Sequence, residues 1–254
     1  IDFIMKRMLE EYGANKYCMV NGQQFRPFLL NLEAFSKVAD NIAAFDGAAF
    51  YRDWTSWYFG EEAGKYAVSS MKKLHEAQFD RVGYVQHLWE IREAVSYLSN
   101  APLERPGKDP IPHDYSRVEN DYEHVAKRFT MLNTALDEAL KGYEFVGEDD
   151  HFYHDYILYP VQMYADLLEF ELVLHQMAKE KKAFEDSGNG VHIEKALEAL
   201  DLVRRKLEVV HEACVSGDKN PRWKGWYLPE NRRPNNGFPT REMLKLIEHN
   251  LEHL

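Results

Sequence analysis

The sequence predicts a mainly all-α protein: an antiparallel helical bundle preceded by one helix and one strand left over from an α/β barrel. Three observations carry this prediction. Three long segments repeat apolar residues at three- and four-residue steps, the signature of helices with one buried face. A single short stretch near the start, residues 17 to 20, is apolar and β-prone. The connections between periodic segments are short and rich in Gly, Pro, Asp and Asn, which suits neighbouring antiparallel helices. The expected divisions are a terminal helix-strand segment over 1–30, a bundle over 31–217, and an aromatic, basic loop with a last helix over 218–254.

Composition agrees with a cored protein. Of 254 residues, 45% are hydrophobic and 13% aromatic, ordinary values for a globular chain. The formal net charge of -11 argues against a nucleic-acid partner, because affinity for a phosphate backbone rests on clustered Lys and Arg. No apolar run approaches the roughly 20 residues needed to span a bilayer, so no membrane partner is expected. Cys18 and Cys214 form neither a metal spacing nor a disulfide framework and read as small buried hydrophobes.

Element by element, a helical run from Asp2 to Tyr12 stops at Gly13, and Tyr17-Cys18-Met19-Val20 then reads as one buried strand ended by the turn Asn21-Gly22. A lone strand cannot satisfy its own backbone, so its partners are expected outside these residues, in the remainder of a barrel. Asn31 is expected to cap a short helix carrying Leu32, Phe35, Val38, Ala39 and Ile42. Asp46 is expected to cap another, through Phe50, Trp54 and Trp57 to a stop at Gly60. Helical spacing resumes over 61–79 and 81–99, the latter with Tyr84, Leu88, Ile91, Val95 and Leu98 as its buried stripe. Four prolines between Asn100 and His113 mark a surface loop.

Asp114 then caps the longest stripe, Val118, Tyr122, Val125, Phe129, Leu132, Leu136 and Leu140, with its stop at Gly142. The next segment, 151–186, carries Tyr156, Tyr159, Met163, Leu167, Phe170, Leu174 and Met177, and Pro160 predicts a break in the turn before it. A further helix follows Gly188 and Gly190, with Ile193, Leu197, Leu200, Leu207, Val210 and Cys214, and ends at Gly217. Thr240 caps the last one, through Met243, Leu244, Ile247 and Leu251.

Read together, four ordered segments resemble glycoside hydrolase family 115, the xylan α-glucuronidases. The first is Glu11-Tyr12-Gly13-Ala14-Asn15-Lys16-Tyr17-Cys18-Met19-Val20-Asn21-Gly22-Gln23-Gln24-Phe25-Arg26-Pro27, similar to the end of that family's catalytic barrel. The second runs from Phe50-Tyr51-Arg52-Asp53-Trp54 to Trp57-Tyr58-Phe59-Gly60, similar to the opening of its helical domain. The third is Tyr156-Ile157-Leu158-Tyr159-Pro160-Val161, and the fourth is Arg222-Trp223-Lys224. The resemblance implies the C-terminal helical portion of a carbohydrate-active enzyme that braces its barrel and meets a polysaccharide or oligosaccharide bearing an acidic sugar. It also implies a periplasmic or extracellular location. Where the family pattern holds an Asp and a Glu, this chain has Gln23-Gln24 and, near Pro27, Leu29. Glycoside hydrolysis ordinarily uses two positioned carboxyl groups, so the portion is expected to be inactive alone, with no catalytic residue of its own.

The substrate-binding candidates are Asn21 and Arg26, just past the end of the expected barrel strand, and Trp226, Arg232 and Arg233 in the Trp-rich loop. Aromatic faces suit sugar rings, and Arg donors suit uronate carboxylates. Trp223 in the same loop reads as packing. Glu171 with His175 and Glu123 with His124 read as solvated helix faces or capping contacts, because a carboxylate-bridged metal pair needs Glu-x-x-His repeats on two helices. His151, His154 and Asp155 read as an ordinary helix start. With no Walker, dinucleotide or Gly-x-Ser-x-Gly fingerprint, neither metal nor cofactor is expected. The competing class is a non-catalytic helical module for homodimerisation or protein interaction.

Overall fold

The computed structural model describes residues 5–14, 25–79, 85–105, 108–111, 113–147, 150–216 and 239–254. It is mainly helical. The long helices among the described residues are α1 (Phe25–Asp40), α2 (Gly47–Phe79), α3 (Val85–Ser99), α4 (Tyr115–Val146), α5 (Tyr159–Ser187), α6 (Val191–Ser216) and α7 (Arg241–Leu251). The expected strand at 17–20 lies outside the described residues, as do Cys18 and the loop 218–238.

The expected caps sit where elementary hydrogen bonding puts them. Asp46 Oδ1 accepts from the Ala49 N–H at 3.0 Å, and Asp114 Oδ1 accepts from the Ser116 N–H at 3.0 Å. Those bonds hold both carboxyls below their usual pKa, as bonds to the ionised form must. Thr240 Oγ1 accepts from the Met243 N–H at 3.4 Å and opens α7. Thr240→Ala should therefore lower stability by about 1 kcal/mol in a denaturant titration, with an unchanged slope.

Several expectations are corrected. Asn31 is no cap: α1 begins six residues earlier, at Phe25. Pro27 does not prevent this, because an N–H in the first helical turn has no acceptor to lose. The loop after Asn100 holds an antiparallel pair, β1 (Leu103–Arg105) with β2 (Lys108–Ile111), registered Leu103 to Ile111 and Arg105 to Lys108. Its prolines exclude a helix but not a two-stranded ribbon, in which each strand is an edge. Gly142 does not end α4, which runs on to Val146, and Gly147 at φ +83° supplies the stop.

Other expectations hold. Gly60, at φ 80° and ψ 170°, breaks α2 into two helical stretches, a conformation closed to residues with a Cβ. The five residues His154–Leu158, just before Pro160, form a π turn, so the ladder widens where proline withholds a donor.

The chain divides into two compact units, residues 1–70 with 138–158 and residues 71–137 with 159–254. In the first, Trp54, Phe59, Ala63, Ala67, Ala139, Tyr153 and Ile157 are buried. Gly142 belongs here as a contact: a Cβ on it would lie 2.0 Å from the Tyr153 hydroxyl, which donates to the Ala139 carbonyl at 3.0 Å.

In the second unit, α5 and α6, joined through Gly188 and Gly190, pack along their length and meet α3 and α7. Ile91, Val95 and Leu98 of α3 meet Phe170, Leu174 and Met177 of α5, Leu200, Leu207, Val210 and Cys214 of α6, and Leu244, Ile247 and Leu251 of α7. Side chains satisfy the carbonyls at the end of α3: Lys181 Nζ donates to Tyr97 O and Asn250 Nδ2 to Leu98 O, both at 2.8 Å. Such bonds meet the orphan acceptors that every helix C-terminus leaves. Among the described residues, no helix is long and apolar enough to cross a membrane.

Two stripe assignments fail at their ends, since Leu140 is 43% exposed and Trp57 84%. Glu171 and His175, expected on a solvated face or in capping contacts, are buried in the second unit.

A candidate aromatic and acidic cleft

The first unit carries a cleft of about 620 Å³, inside the usual range of about 300–1,000 Å³ for small-ligand sites. It is lined by two helical faces. Glu33, Lys37 and Asp40 follow the four-then-three spacing along α1, which places them on one side. Asp46, Phe50, Asp53 and Trp57 recur at the same spacing from the cap of α2 onward.

Glu33 organises the aromatic side. Its Oε2 accepts from Trp54 Nε1 and its Oε1 from the Tyr58 hydroxyl, each at 3.0 Å. The two rings lie 4.7 Å apart, centroid to centroid, and Trp54 meets Phe59 edge-on at 5.9 Å. One carboxylate thus fixes two rings by two charge-assisted bonds, and the buried Trp54 keeps its indole N–H satisfied. Burial, followed by the bond to Glu33 and its negative charge, pushes the Tyr58 hydroxyl up, so it stays a donor across the neutral range. Trp57 has no such tether among the described hydrogen bonds and presents most of its indole to solvent.

The charge here is acidic: Glu33, Asp40, Asp46 and Asp53 stand against Lys37. Carboxylates in such numbers accept hydrogen bonds from hydroxyl groups and repel an anionic ligand. The cleft can therefore hold a neutral polyhydroxy compound against an aromatic face.

Of the residues that the sequence singles out for substrate binding, Asn21, Trp226, Arg232 and Arg233 lie outside the described residues. The backbone of Arg26 belongs to the first turn of α1, and its side chain is outside the described residues too. Sequence reasoning misses the cleft because its aromatic and acidic residues fit a buried stripe or a cap equally well. A signal is nevertheless present, in seven aromatic residues among the fifteen at 45–59 and in the polar face Glu33, Lys37 and Asp40. At the other expected helix start, His154 is buried with Nδ1 at 3.1 Å from Asp155 Oδ1. Asp150 makes the cap there, accepting from the N–H groups of Phe152 and Tyr153. Comparison with known protein families, with curated proteins and with solved structures finds no match for this chain.

Proposed function

We propose that the chain is the helical portion of a carbohydrate-active enzyme resembling the xylan α-1,2-glucuronidases, that it braces a barrel domain, and that it contributes glycan contacts rather than catalysis. The observation that carries this reading is Trp57, 84% exposed on a cleft whose lining includes four carboxylates, a lysine and further aromatic rings. An exposed indole is a stacking platform for a pyranose ring, and the carboxylates accept from sugar hydroxyls.

The acidity of the cleft refines the proposal. The neutral backbone of the polysaccharide lies on Trp57, and the uronate carboxylate is left to basic residues, with Arg26, Arg232 and Arg233 as the candidates in the sequence. Calorimetric titration with a neutral xylo-oligosaccharide tests it. Trp57→Ala should weaken binding about tenfold, near 1.4 kcal/mol, while the melting temperature stays put because the side chain is exposed. Equal affinity in the variant, or no binding by the wild type, would remove the cleft from the glycan site and favour the reading as an interaction module.

A further inference from the structure

The second unit buries charge at its centre. Glu90 on α3, Arg128 on α4 and Glu171 on α5 are 1%, 2% and 0% exposed. Arg128 Nη2 donates a short hydrogen bond to Glu90 Oε2, whereas the same nitrogen is 4.0 Å from Glu171 Oε1, beyond hydrogen-bonding reach. One guanidinium therefore hydrogen-bonds one of two buried carboxyl groups and stands 4.0 Å from the other. One turn along α5, His175 holds Nδ1 at 2.9 Å from the Glu171 carbonyl oxygen. A carbonyl only accepts, so Nδ1 carries a hydrogen. Asp121, buried on α4, adds a further acidic group.

We propose that Glu171 is a resident proton site of the second unit: it stays a neutral carboxylic acid at neutral pH while Glu90 is the ionised partner of Arg128, and its ionisation loosens the packing of α3, α4 and α5. An ionised Glu171 would be a second buried carboxylate sharing the one guanidinium that already bonds Glu90, a state that proteins avoid by keeping the proton.

The surroundings point the same way. Burial first, then the negative charge of Glu90, raise the Glu171 pKa well above the ordinary carboxyl range; Arg128 opposes them and Asp121 adds to them. His175 is held below its usual pKa by burial, so it brings no positive charge to the site. Arg117 pairs with Glu93 nearby at 2.8 Å, and Arg92, also on α3, is a further buried cation of this unit. For a carboxyl whose folded pKa is raised, the stabilisation is whole below the unfolded pKa and is lost as pH climbs to the folded one. Stability should thus fall from mildly acidic toward alkaline pH.

The test uses the full chain at pH 7. Infrared spectroscopy should show the carbonyl stretch of a protonated carboxyl group in the wild type, lost in Glu171→Gln, whose amide is the same size and carries no charge. The wild-type melting temperature should drop by several degrees from pH 5 to pH 9, and that slope should largely vanish in the variant. Glu90→Gln gives an independent check, since Arg128 is then left with Glu171, which ionises, and the band again disappears. A band that survives both substitutions, its absence from the wild type, or a pH slope unchanged in Glu171→Gln would overturn the proposal. Should Glu171→Gln not fold, the wild-type band together with its loss in Glu90→Gln decides.

Discussion

Arg128→Met is expected to destabilise the protein by about 3–5 kcal/mol, the usual cost of leaving a buried charge without its partner. Methionine fills much of the arginine's volume, so the loss comes from charge rather than from a cavity. Glu90, 1% exposed, then loses the guanidinium that donates to it. One feature separates this from a packing defect. Arg128→Met combined with Glu90→Gln should be less damaging than the sum of the two single changes, since the charge that lost its guanidinium is gone. Denaturant titrations of the three variants at pH 7 measure it. Strictly additive costs would mean that the ion pair contributes only by filling space.

The second large effect is expected at Gly142→Ala. In an exposed helix this change gains about 1 kcal/mol in propensity. Here the new methyl would sit 2.0 Å from the Tyr153 hydroxyl and 2.9 Å from its Cζ. The tyrosine cannot simply turn aside: it is fully buried, bonded to the Ala139 carbonyl, and stacked on Tyr143 at 5.9 Å. Overpacking of this kind costs about 1–3 kcal/mol, enough to reverse the propensity gain. Adding Tyr153→Phe removes the closest atom and should recover part of the loss. A Gly142→Ala variant as stable as the wild type, in a thermal melt, would mean that the helix around Gly142 yields without cost.

The helices themselves are legible in the sequence because burying one face imposes a period that the residues record directly. Ile91, Val95 and Leu98 on α3 and Leu200, Leu207 and Val210 on α6 are all core residues, as their spacing requires. Asp46, Asp114 and Thr240 are legible as caps for a local reason, since each bonds an N–H two or three residues ahead. Gly142 and Asn31 mislead for one common reason: a local stop or start signal acts only when the tertiary fold has no other use for the position. At Gly142 the missing side chain makes room for a tyrosine distant in sequence, not for a turn. Glu171 and His175 show the same limit. Polar residues in a helix read as a solvated face, and only the approach of Glu90 and Arg128 from other helices makes a buried centre. The cleft is half legible, in its aromatic density but not in the exposure of Trp57.

Glycan contact without catalysis meets its most direct test in one measurement: the proton NMR spectrum of a glucuronoxylan oligosaccharide incubated with the pure chain. Saturation of the protein's aromatic resonances should pass to the xylose ring protons, more strongly than to those of the glucuronic acid, while the anomeric signals keep their intensities over hours. No transfer to any sugar proton would contradict the contact. The appearance of free glucuronic acid would contradict the absence of catalysis.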